Sequence, residues 1–532
     1  MQAQSIIVIH PGSLYLRIGR ASDLNPHTEL HAIARRRLVP GAIHRDTILP
    51  PVVPKLKDIE ADLDTIRLQL SHTLQSCLMT DGSRRYATPP QQISAFNKRS
   101  SPDNVQDSSS SHCATPLSSV STVIAPDWII IETDIVVGDE MPMKRGDLNV
   151  HSGVGGSLTA VLADLETIWS WVIVNRLKIP MHELKNYRAV LIIGDIYNRH
   201  YLKELTGLLL GMGFSSCFLL QDHVAATFGA GVGAACVVDC GHAKTSVSCV
   251  EDGISQPATR VRLPYGGGDI TQTLKWLLNK CSFPYKRCDP DSNPLDALLL
   301  ERLKHDVCHV DLDVCGSLEK SFIIRQPKIP VVKYTIQVAD ECMIAPLGVF
   351  QPELFAITGA TRQPIVTQKR SSGDSSDPHD ADYLRETGVS PLIELEKYLE
   401  VSGSGVDSTA EFTPGGQLLG LDQAVLQSIA RCGSDDLKRK MYSCILVVGG
   451  GMKFKGISTW LQNKIALQIP YIFRAEQMDI VTWPKEMDPV MTAWKGAAIM
   501  ACLESAHELW ITPEEWLRYS VRVLRERAPF IW

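Results

Sequence analysis

The sequence lacks a strong charge imbalance. Its 532 residues include 53 Lys and Arg and 59 Asp and Glu, so the formal net charge is only −6. A net charge of this size does not indicate a nucleic-acid-binding protein, so any such binding has to be local. The chain is too long for a single core, and two or more domains are expected.

Zinc-type cysteine pairs, a secretory leader and a long apolar run are also missing. The 14 cysteines have no C-x-x-C spacing, and several lie in apolar runs, which predicts buried free thiols in a reducing compartment. Those in apolar runs are Cys236, Cys249, Cys444 and Cys502. The first residues carry no basic segment, and no uninterrupted apolar stretch approaches the length of a membrane span. We therefore expect a cytosolic or nuclear protein with no membrane partner.

Two segments share one local pattern. In Ile6 to Asp23 and in Cys236 to Gly253, an apolar run ends at a glycine-containing turn and then resumes with alternating apolar residues. Each segment predicts a strand, a tight turn and a returning strand. One such segment is an ordinary β-hairpin. Two facing hairpins can direct backbone N–H groups at one anion, because glycine leaves the turn without a Cβ, and a nucleotide phosphate is the expected anion.

Helices and strands alternate up to the second hairpin. Apolar spacing predicts helices over 55–73, 158–176 and 201–212. Short apolar runs predict buried strands at 189–193 and 217–220. This alternation is the pattern of an α/β protein.

Two segments interrupt the pattern. Residues 99–121 and 367–413 are rich in small and polar residues and contain few large apolar ones. A segment of this composition buries too little apolar surface to offset the entropy of ordering. We expect two low-complexity insertions, disordered at 99–121 and at 367–413.

Three features leave alternatives open. The strand that begins at Cys444 runs into glycines at 449–451, where a ring or a phosphate can lie on bare backbone, but a tight turn has the same sequence pattern. Lys304 lies on a predicted helix over 295–307, on a side for which a solvated face is the default. The C-terminal apolar residues belong either to a core or to a partner surface. These residues are Trp494, Leu509, Trp510 and Trp516.

In their order, these pieces resemble the actin superfamily over nearly the whole chain. The resemblance rests on the two hairpins, the R-G-x-L segment at Arg145 with the helix after it, the strand into Gly449 and Gly450, and the C-terminal W-K-G and L-W-I segments. Segments such as IHPGS, LNVHSGVGGSLTAVLADLETIW and MDPVMTAWKGAAIMACL resemble, more narrowly, the nuclear actin-related subunits of Ino-eighty type chromatin remodellers.

The resemblance implies a fold and its division. The fold would be α/β, the actin-like ATPase-domain fold, with two lobes that each have a ribonuclease-H-like core and a nucleotide cleft between them. Lobe I would comprise residues 1–229 and 493–532, and lobe II residues 230–492. Only the two insertions fall outside the resemblance.

The resemblance also implies a site for ATP. The residues implied to hold it are Gly12, Ser13, Leu14, Arg17, Asp239, Cys240, Gly241, His242, Lys304, Gly449 and Gly450. Actins have carboxylates near the metal where this chain has His10 and His242. Imidazoles are poor Mg²⁺ ligands compared with hard oxygens. Any Mg²⁺ is therefore expected to be held weakly, and no metal ligand is predicted.

Asp222 stands where actins have the glutamine that positions the attacking water. Phosphoryl transfer depends mainly on positioning and on offsetting charge. A carboxylate beside the terminal phosphate also repels it, so we expect at most slow hydrolysis and name no catalytic residue. The alternative is an active actin-fold ATPase or a sugar-kinase-like enzyme, since fold alone does not fix function. A filament-forming actin is a third possibility.

The implied function is that of a non-polymerising scaffold subunit in the nucleus. Its expected partners are a helix of the remodeller's motor subunit, actin, another actin-related protein, nucleosomal DNA and histones. The implied processes are transcription regulation, DNA replication, DNA recombination and repair of DNA damage.

Overall fold

A computed structural model describes residues 2–36, 41, 43–104, 128–130, 142–326, 330–368, 410–412, 418–474 and 477–530. The strands are β1 (Ile6–Pro11), β2 (Tyr15–Arg20), β3 (His27–Leu30), β4 (Ala32–Arg35), β5 (Asp103–Asn104), β6 (Trp128–Ile130), β7 (Met143–Arg145), β8 (Arg188–Ile193), β9 (Ser216–Gln221), β10 (Ala234–Cys240), β11 (Thr245–Glu251), β12 (Ile254–Ser255), β13 (Val261–Leu263), β14 (Leu318–Ile324), β15 (Val332–Val338), β16 (Val366–Gln368), β17 (Ala410–Phe412), β18 (Cys444–Val448) and β19 (Asp479–Val481). The α-helices are α1 (Leu56–Ser76), α2 (Pro90–Arg99), α3 (Leu158–Asn175), α4 (Arg199–Gly211), α5 (Asp222–Ala230), α6 (Gly267–Lys280), α7 (Pro294–Val307), α8 (Glu341–Leu347), α9 (Leu421–Ala430), α10 (Asp435–Ser443), α11 (Ile457–Ala466), α12 (Thr492–Ala501), α13 (Pro513–Tyr519) and α14 (Arg522–Arg527).

Two sheets share one strand order, and each forms the centre of a lobe. In lobe I the order is β3-β2-β1-β8-β9. In lobe II the corresponding strands are β13-β11-β10-β18-β19, and β16 and β17 extend the sheet beyond β13. Each sheet joins an antiparallel hairpin, β1 with β2 or β10 with β11, to two parallel strands, β8 and β9 or β18 and β19. This duplicated order confirms the predicted α/β fold with two ribonuclease-H-like cores.

Helices cover both faces of the lobe I sheet. The strands β8 and β9 read RAVLII and SCFLLQ, and almost every residue in them is buried. Ile168 and Leu205, from α3 and α4, pack on one face. Val224 and Ala497, from α5 and α12, pack on the other. Burial on both faces explains why these strands have continuous apolar runs instead of alternation.

The helix α3 is long and apolar enough, by length and composition, to cross a membrane. In the fold its buried residues, among them Leu165 and Trp169, belong to the lobe I core, and Asp164 accepts a hydrogen bond from Arg35 Nε. It is therefore a core helix. Asp164 and Glu166 interrupt its apolar residues, so the sequence shows no uninterrupted apolar stretch here.

The helices α5 and α12 lie between the two sheets and join the lobes. Their backbones approach closely at Gly229 and Gly496, where a Cβ would collide with the main-chain oxygens of Thr492 and Ala225. Both helices contribute to one apolar cluster with strands of the two sheets. A side chain at either glycine would force the helices apart.

The packing of residues 56–104 differs from the predicted lobe boundaries, which follow chain order. Leu63, Leu70 and Leu74 of α1 belong to the core of lobe II, although residues 1–229 were assigned to lobe I. In the strand β5, Asn104 pairs with Val332 of lobe II. A sequence reading cannot detect this because an amphipathic helix does not specify which core its apolar face joins.

The insertions are described only at their edges. Residues 99–104 of the first predicted insertion end α2 and form β5, and the remainder lies outside the described residues. In the second, residues 367–368 and 410–412 form the paired strands β16 and β17, and the rest again lies outside the described residues.

The thirteen cysteines that the structure describes form no disulfide. Cys236 and Cys249 are buried, as expected from their apolar runs. Cys502 is exposed and Cys444 is half-buried, against expectation. Cys502 follows the last turn of α12, where the helix reaches the surface, and apolar neighbours in sequence do not guarantee burial there.

Candidate functional site

The two glycine turns connect β1 with β2 and β10 with β11. The amide of Gly12 donates to the oxygen of Tyr15 over 3.0 Å, and the amide of Gly241 donates to the oxygen of Lys244 over 2.9 Å. Both glycine amides are thus used inside their hairpins. Two further amides of each turn have no acceptor among the described residues, and they belong to Ser13, Leu14, His242 and Ala243. These four N–H groups are available to an anion.

His31 supports the first turn, and the sequence analysis missed it. Trp169 Nε1 donates to His31 Nε2 over 3.4 Å, so His31 Nδ1–H donates to the oxygen of Gly12, 2.8 Å away. Burial lowers the pKa of His31 to about 4, because it disfavours the charged ring more than the bond to Gly12 favours it. His31 is therefore neutral at pH 7. No local motif marks it, because its partners lie far away in the sequence.

Two glycine loops enclose the second turn. Gly449 has φ +90° and follows β18, and a Cβ there would collide with the oxygen of Cys240. A Cβ on Gly451 would lie 2.5 Å from the oxygen of Gly241, and one on Gly266 would lie 2.7 Å from it. Only glycine permits this approach of three backbones.

The same loops hold the carbonyls of the second turn. The amides of Gly267 and Gly268, at the start of α6, donate to the oxygens of Gly241 and His242 over 2.9 and 2.8 Å. The amide of Gly451 donates to the oxygen of Cys240 over 2.8 Å. Because the carbonyl oxygens of the second turn accept these hydrogen bonds, its amides at His242 and Ala243 are left for a ligand. The first amides of α6 are used within the protein.

Gly450 differs from its two neighbours. The nearest atom to a Cβ at this position is Val490 Cγ2, at 3.6 Å. A methyl group here would make only an ordinary van der Waals contact, so the backbone is less crowded than at Gly449 and Gly451, which suits the predicted contact with a ring. That contact stays a prediction, and Phe454, which follows this loop, is part of the lobe II core.

His10 and Arg17 lie side by side as a cross-strand pair of β1 and β2. Burial, and then the charge of Arg17, lower the pKa of His10 to about 3, so its ring is neutral at pH 7. Burial lowers the pKa of Arg17 to about 10, and the nearby carboxylate of Asp239 acts in the opposite direction. Arg17 therefore stays charged at pH 7. His10 Nδ1 and Arg17 Nε are buried and have no hydrogen-bond partner among the described residues.

The side chain of His242 is engaged within the protein. Its Nε2 lies 2.8 Å from the oxygen of Ile48, and its Nδ1 lies 3.5 Å from Glu301 Oε1. Burial lowers the pKa of His242, although the carboxylate of Glu301 partly opposes this. Its backbone amide, and not its ring, is the group available to a phosphate.

Lys304 is buried, against the expectation of a solvated face. Its Nζ donates to Glu301 Oε2 over 2.7 Å and to the oxygen of Gly267 over 3.0 Å. Only 1% of the side chain is exposed, because the ammonium turns inward to these acceptors. Lys304 thereby supports the loop at 266–268. A direct contact with a nucleotide remains a prediction.

Two carboxyl groups, from Asp239 and Asp222, lie beside Gly449 and Gly194. Burial, and then the charge of Asp222, raise the pKa of Asp239 to about 6. Burial, and then the charge of Asp195, raise the pKa of Asp222 to about 7. Both groups resist ionisation, and the rings of His10 and His242 are neutral. This donor set does not fit a tightly held Mg²⁺, which prefers ionised oxygen ligands.

A buried polar cluster below Asp222 was also missed. His223 Nδ1 lies 2.6 Å from Ser248 Oγ, and its Nε2 lies 2.9 Å from Ser246 Oγ. Asp195 accepts from Ser255 Oγ over 2.8 Å. Arg260 Nε lies 3.4 Å from the same Asp195 oxygen. The one sequence signal was the serine at alternate positions in β11, which places both hydroxyls on one face.

Comparisons with known proteins agree with this architecture. The family model described as Actin matches residues 1–528. "Actin-related protein 8" of Aedes aegypti is 53% identical, over 100% of this chain and 98% of that protein. "Actin-related protein 8" of Homo sapiens is 39% identical, over 100% of this chain and 93% of that protein. The solved structure of "Human actin-related protein Arp8 in its ATP-bound state" superposes with a TM-score of 0.84 and 38% identity, and covers 100% of this chain and 98% of that one. The chain therefore belongs to the actin family and, within it, to the proteins named actin-related protein 8.

Proposed function

We propose that this chain binds ATP between its lobes, with the phosphates between the two glycine turns. The observation that carries the proposal is the set of four turn amides, at Ser13, Leu14, His242 and Ala243, that have no acceptor among the described residues. Converging amides of this kind bind anions, and Arg17 adds a positive charge beside them. The ATP-bound state of the solved relative supports the choice of ligand.

Hydrolysis is slow or absent in this proposal. Asp222 occupies the position from which a side chain would orient the attacking water, but its pKa of about 7 leaves it partly ionised at neutral pH. The ionised form repels a phosphate, and the described carboxyls that resist ionisation do not fit a tightly held divalent cation that would offset this charge. The competing proposal, an active ATPase or a sugar-kinase-like enzyme, requires Asp222 to act as a base.

The proposed role is that of a scaffold in the nucleus. Family membership and the segments shared with remodeller subunits support a place in an Ino-eighty type chromatin remodeller, with actin and another actin-related protein on a helix of the motor subunit. In this role the chain contacts nucleosomal DNA and histones in transcription, replication and repair. ATP then serves to stabilise the fold, because a ligand that binds only the folded state adds about 2.7 kcal/mol at a hundredfold excess over its Kd.

Burial excludes two C-terminal tryptophans from the proposed contact surface for the motor-subunit helix. Trp494 is fully buried and its Nε1 donates to the oxygen of Val8 over 3.1 Å, and Trp510 is buried as well, so both belong to the core. Trp516 is half-buried and Leu517 is 86% exposed. Leu509 is half-buried like Trp516, so Leu509, Trp516 and Leu517 remain as candidates for an apolar anchor site.

One experiment tests binding and turnover together. The purified chain is melted with and without ATP, and phosphate release is followed in the same preparation. We expect the melting temperature to rise with ATP while phosphate release stays near the blank. Rapid Mg²⁺-dependent release would contradict the scaffold proposal and favour the enzyme.

A second experiment tests the partners. The motor-subunit helix, with actin and the second actin-related protein, is used to retain the full chain at moderate salt. We expect retention of the wild type and weaker retention of Leu517→Ser, whereas Ser13→Ala has no effect. Failure to retain the wild type would contradict the scaffold role.

A further inference from the structure

The second turn contains Lys244, whose side chain has no role in the contacts that hold the two turns. Lys244 accepts the amide of Gly241 through its backbone, while its side chain is exposed to the cleft. Its ammonium forms no hydrogen bond or ion pair with the described residues. A free ammonium at the end of a phosphate-type turn is a donor without an acceptor.

The ammonium of Lys244 reaches across from lobe II to lobe I. A Cβ built on Gly194, directly after β8, would lie 3.0 Å from Lys244 Nζ and 3.9 Å from Asp222 Oδ2. The positive charge therefore lies at the carboxyl end of the parallel strands of lobe I. Ligands of open α/β sheets bind at this end of the strands. Glycine at 194 leaves room for the lysine.

The surroundings of Lys244 are those of a cation site. Although the side chain is accessible, the surrounding protein atoms partly desolvate the ammonium, and this and the charge of Arg262 lower its pKa, whereas the carboxylates of Asp222, Asp239 and Asp147 act in the opposite direction. Three acidic groups from both lobes thus act on one ammonium. In a site with neutral imidazoles and protonation-prone carboxyls, this ammonium is a positive charge beside the turn that has free amides.

We propose that the ammonium of Lys244 takes the place of the divalent cation, so that this chain binds the metal-free form of a nucleoside triphosphate. The inference rests on the proposed ATP site and identifies the form of the ligand. An ammonium donates three hydrogen bonds and needs no octahedral set of oxygen ligands. Its bonds to phosphate oxygens are charge-assisted and strong. Arg17 supplies the second positive charge from lobe I.

The test measures ATP binding by calorimetry with the full chain freed of nucleotide, in excess EDTA and in excess Mg²⁺. For the wild type we expect the two Kd values to agree within about threefold. For Lys244→Met we expect ATP in EDTA to bind about tenfold or more weakly, as the loss of a charge-assisted hydrogen bond predicts. Adenosine binding should stay unchanged and shows that the variant is folded. Lys244→Arg, which keeps the charge, should retain most of the affinity.

Lys440→Met is the matched control. Lys440 is exposed and pairs with Glu251 over 2.7 Å, far from the turns in the fold, and its loss should leave both Kd values unchanged. If the wild type binds ATP only with Mg²⁺ and Lys244→Met behaves in the same way, the inference is wrong while the ATP site stands. If the wild type binds ATP in neither buffer, the proposed function fails, and the inference fails with it.

Discussion

The first glycine turn is supported by one buried side chain, whereas the second is enclosed by two loops of bare backbone. At Gly12 the support is His31, which donates to the turn oxygen over 2.8 Å. At Gly241 the amides of Gly267 and Gly451 engage the turn oxygens, and Gly449 lies against Cys240. The two turns close with the same hydrogen bond, yet their strengths have different sources. The first turn depends on a single long-range hydrogen bond from His31. The second turn depends on backbone contacts that are close enough only because glycine has no side chain.

The largest expected effect comes from filling the backbone contact of the second turn. Gly449→Ala should lower the free energy of unfolding by about 3 kcal/mol, because a Cβ collides with the oxygen of Cys240 and because φ of +90° strains any residue with a Cβ. Urea unfolding without nucleotide measures this. Gly450→Ala is the control, since its Cβ meets only Val490 Cγ2 at 3.6 Å. Equal losses in the two variants would refute the contact.

The next effect removes the single support of the first turn. His31→Leu should cost about 2 kcal/mol of stability, because the oxygen of Gly12 and the indole N–H of Trp169 both lose their buried partner. The same urea experiment measures the loss. We also expect weaker ATP binding, because the turn is no longer held. Stability equal to that of the wild type would show that the turn needs no such support.

A third experiment compares Asp239, the carboxylate beside the second turn, with Asp222, which stands where actins have the water-positioning glutamine. Asp239→Ala should remove most of the ATP-dependent rise in melting temperature, because Asp239 is the last residue but one of β10 and lies next to the turn and to Gly449. Asp222→Ala should reduce that rise less. Differential scanning fluorimetry at several ATP concentrations measures both. An equal loss from the two substitutions would contradict this ranking.

The smallest effect is a change in pH dependence. The folded pKa of Asp222, about 7, lies above its ordinary value of 3.8, so the folded state holds this proton more tightly. The stability that results is fully present below pH 3.8 and is lost as the pH rises through 7. In Asp222→Asn this loss is absent, so the variant should gain stability relative to the wild type between pH 5 and pH 8. Melting curves at the two pH values measure the gain. A constant difference would show that the carboxyl is not perturbed.

The sequence predicted the hairpins because their information is local. Apolar alternation, a glycine turn and a second apolar run lie within about twenty residues each, and the structure has β1 with β2 and β10 with β11 at these places. The buried strand at 189–193 and the helix from Leu158 were likewise predicted nearly to the residue. Periodicity is sufficient for such elements because each follows from neighbouring letters.

The prediction was incomplete where partners are distant. The exposed face expected at Lys304 is buried against Glu301 and Gly267, and residues 56–76 pack on lobe II. His31, Asp195 and Arg260 gave no local signal, because each acts through a residue that only folding brings near.

By itself, the sequence determined the element types and the repeated hairpin, since these are properties of neighbouring letters, and its resemblance to actins pointed to His10 and His242 where actins have carboxylates. Only the tertiary structure decided which turn amides stay free, which glycines are required by contact and which charges meet across the cleft. Lys244 illustrates the difference, because in the sequence it is one lysine among many. In the fold its ammonium lies beside Gly194 of the other lobe, within reach of carboxylates from both lobes, and long-range contact of this kind is set by packing and not by spacing.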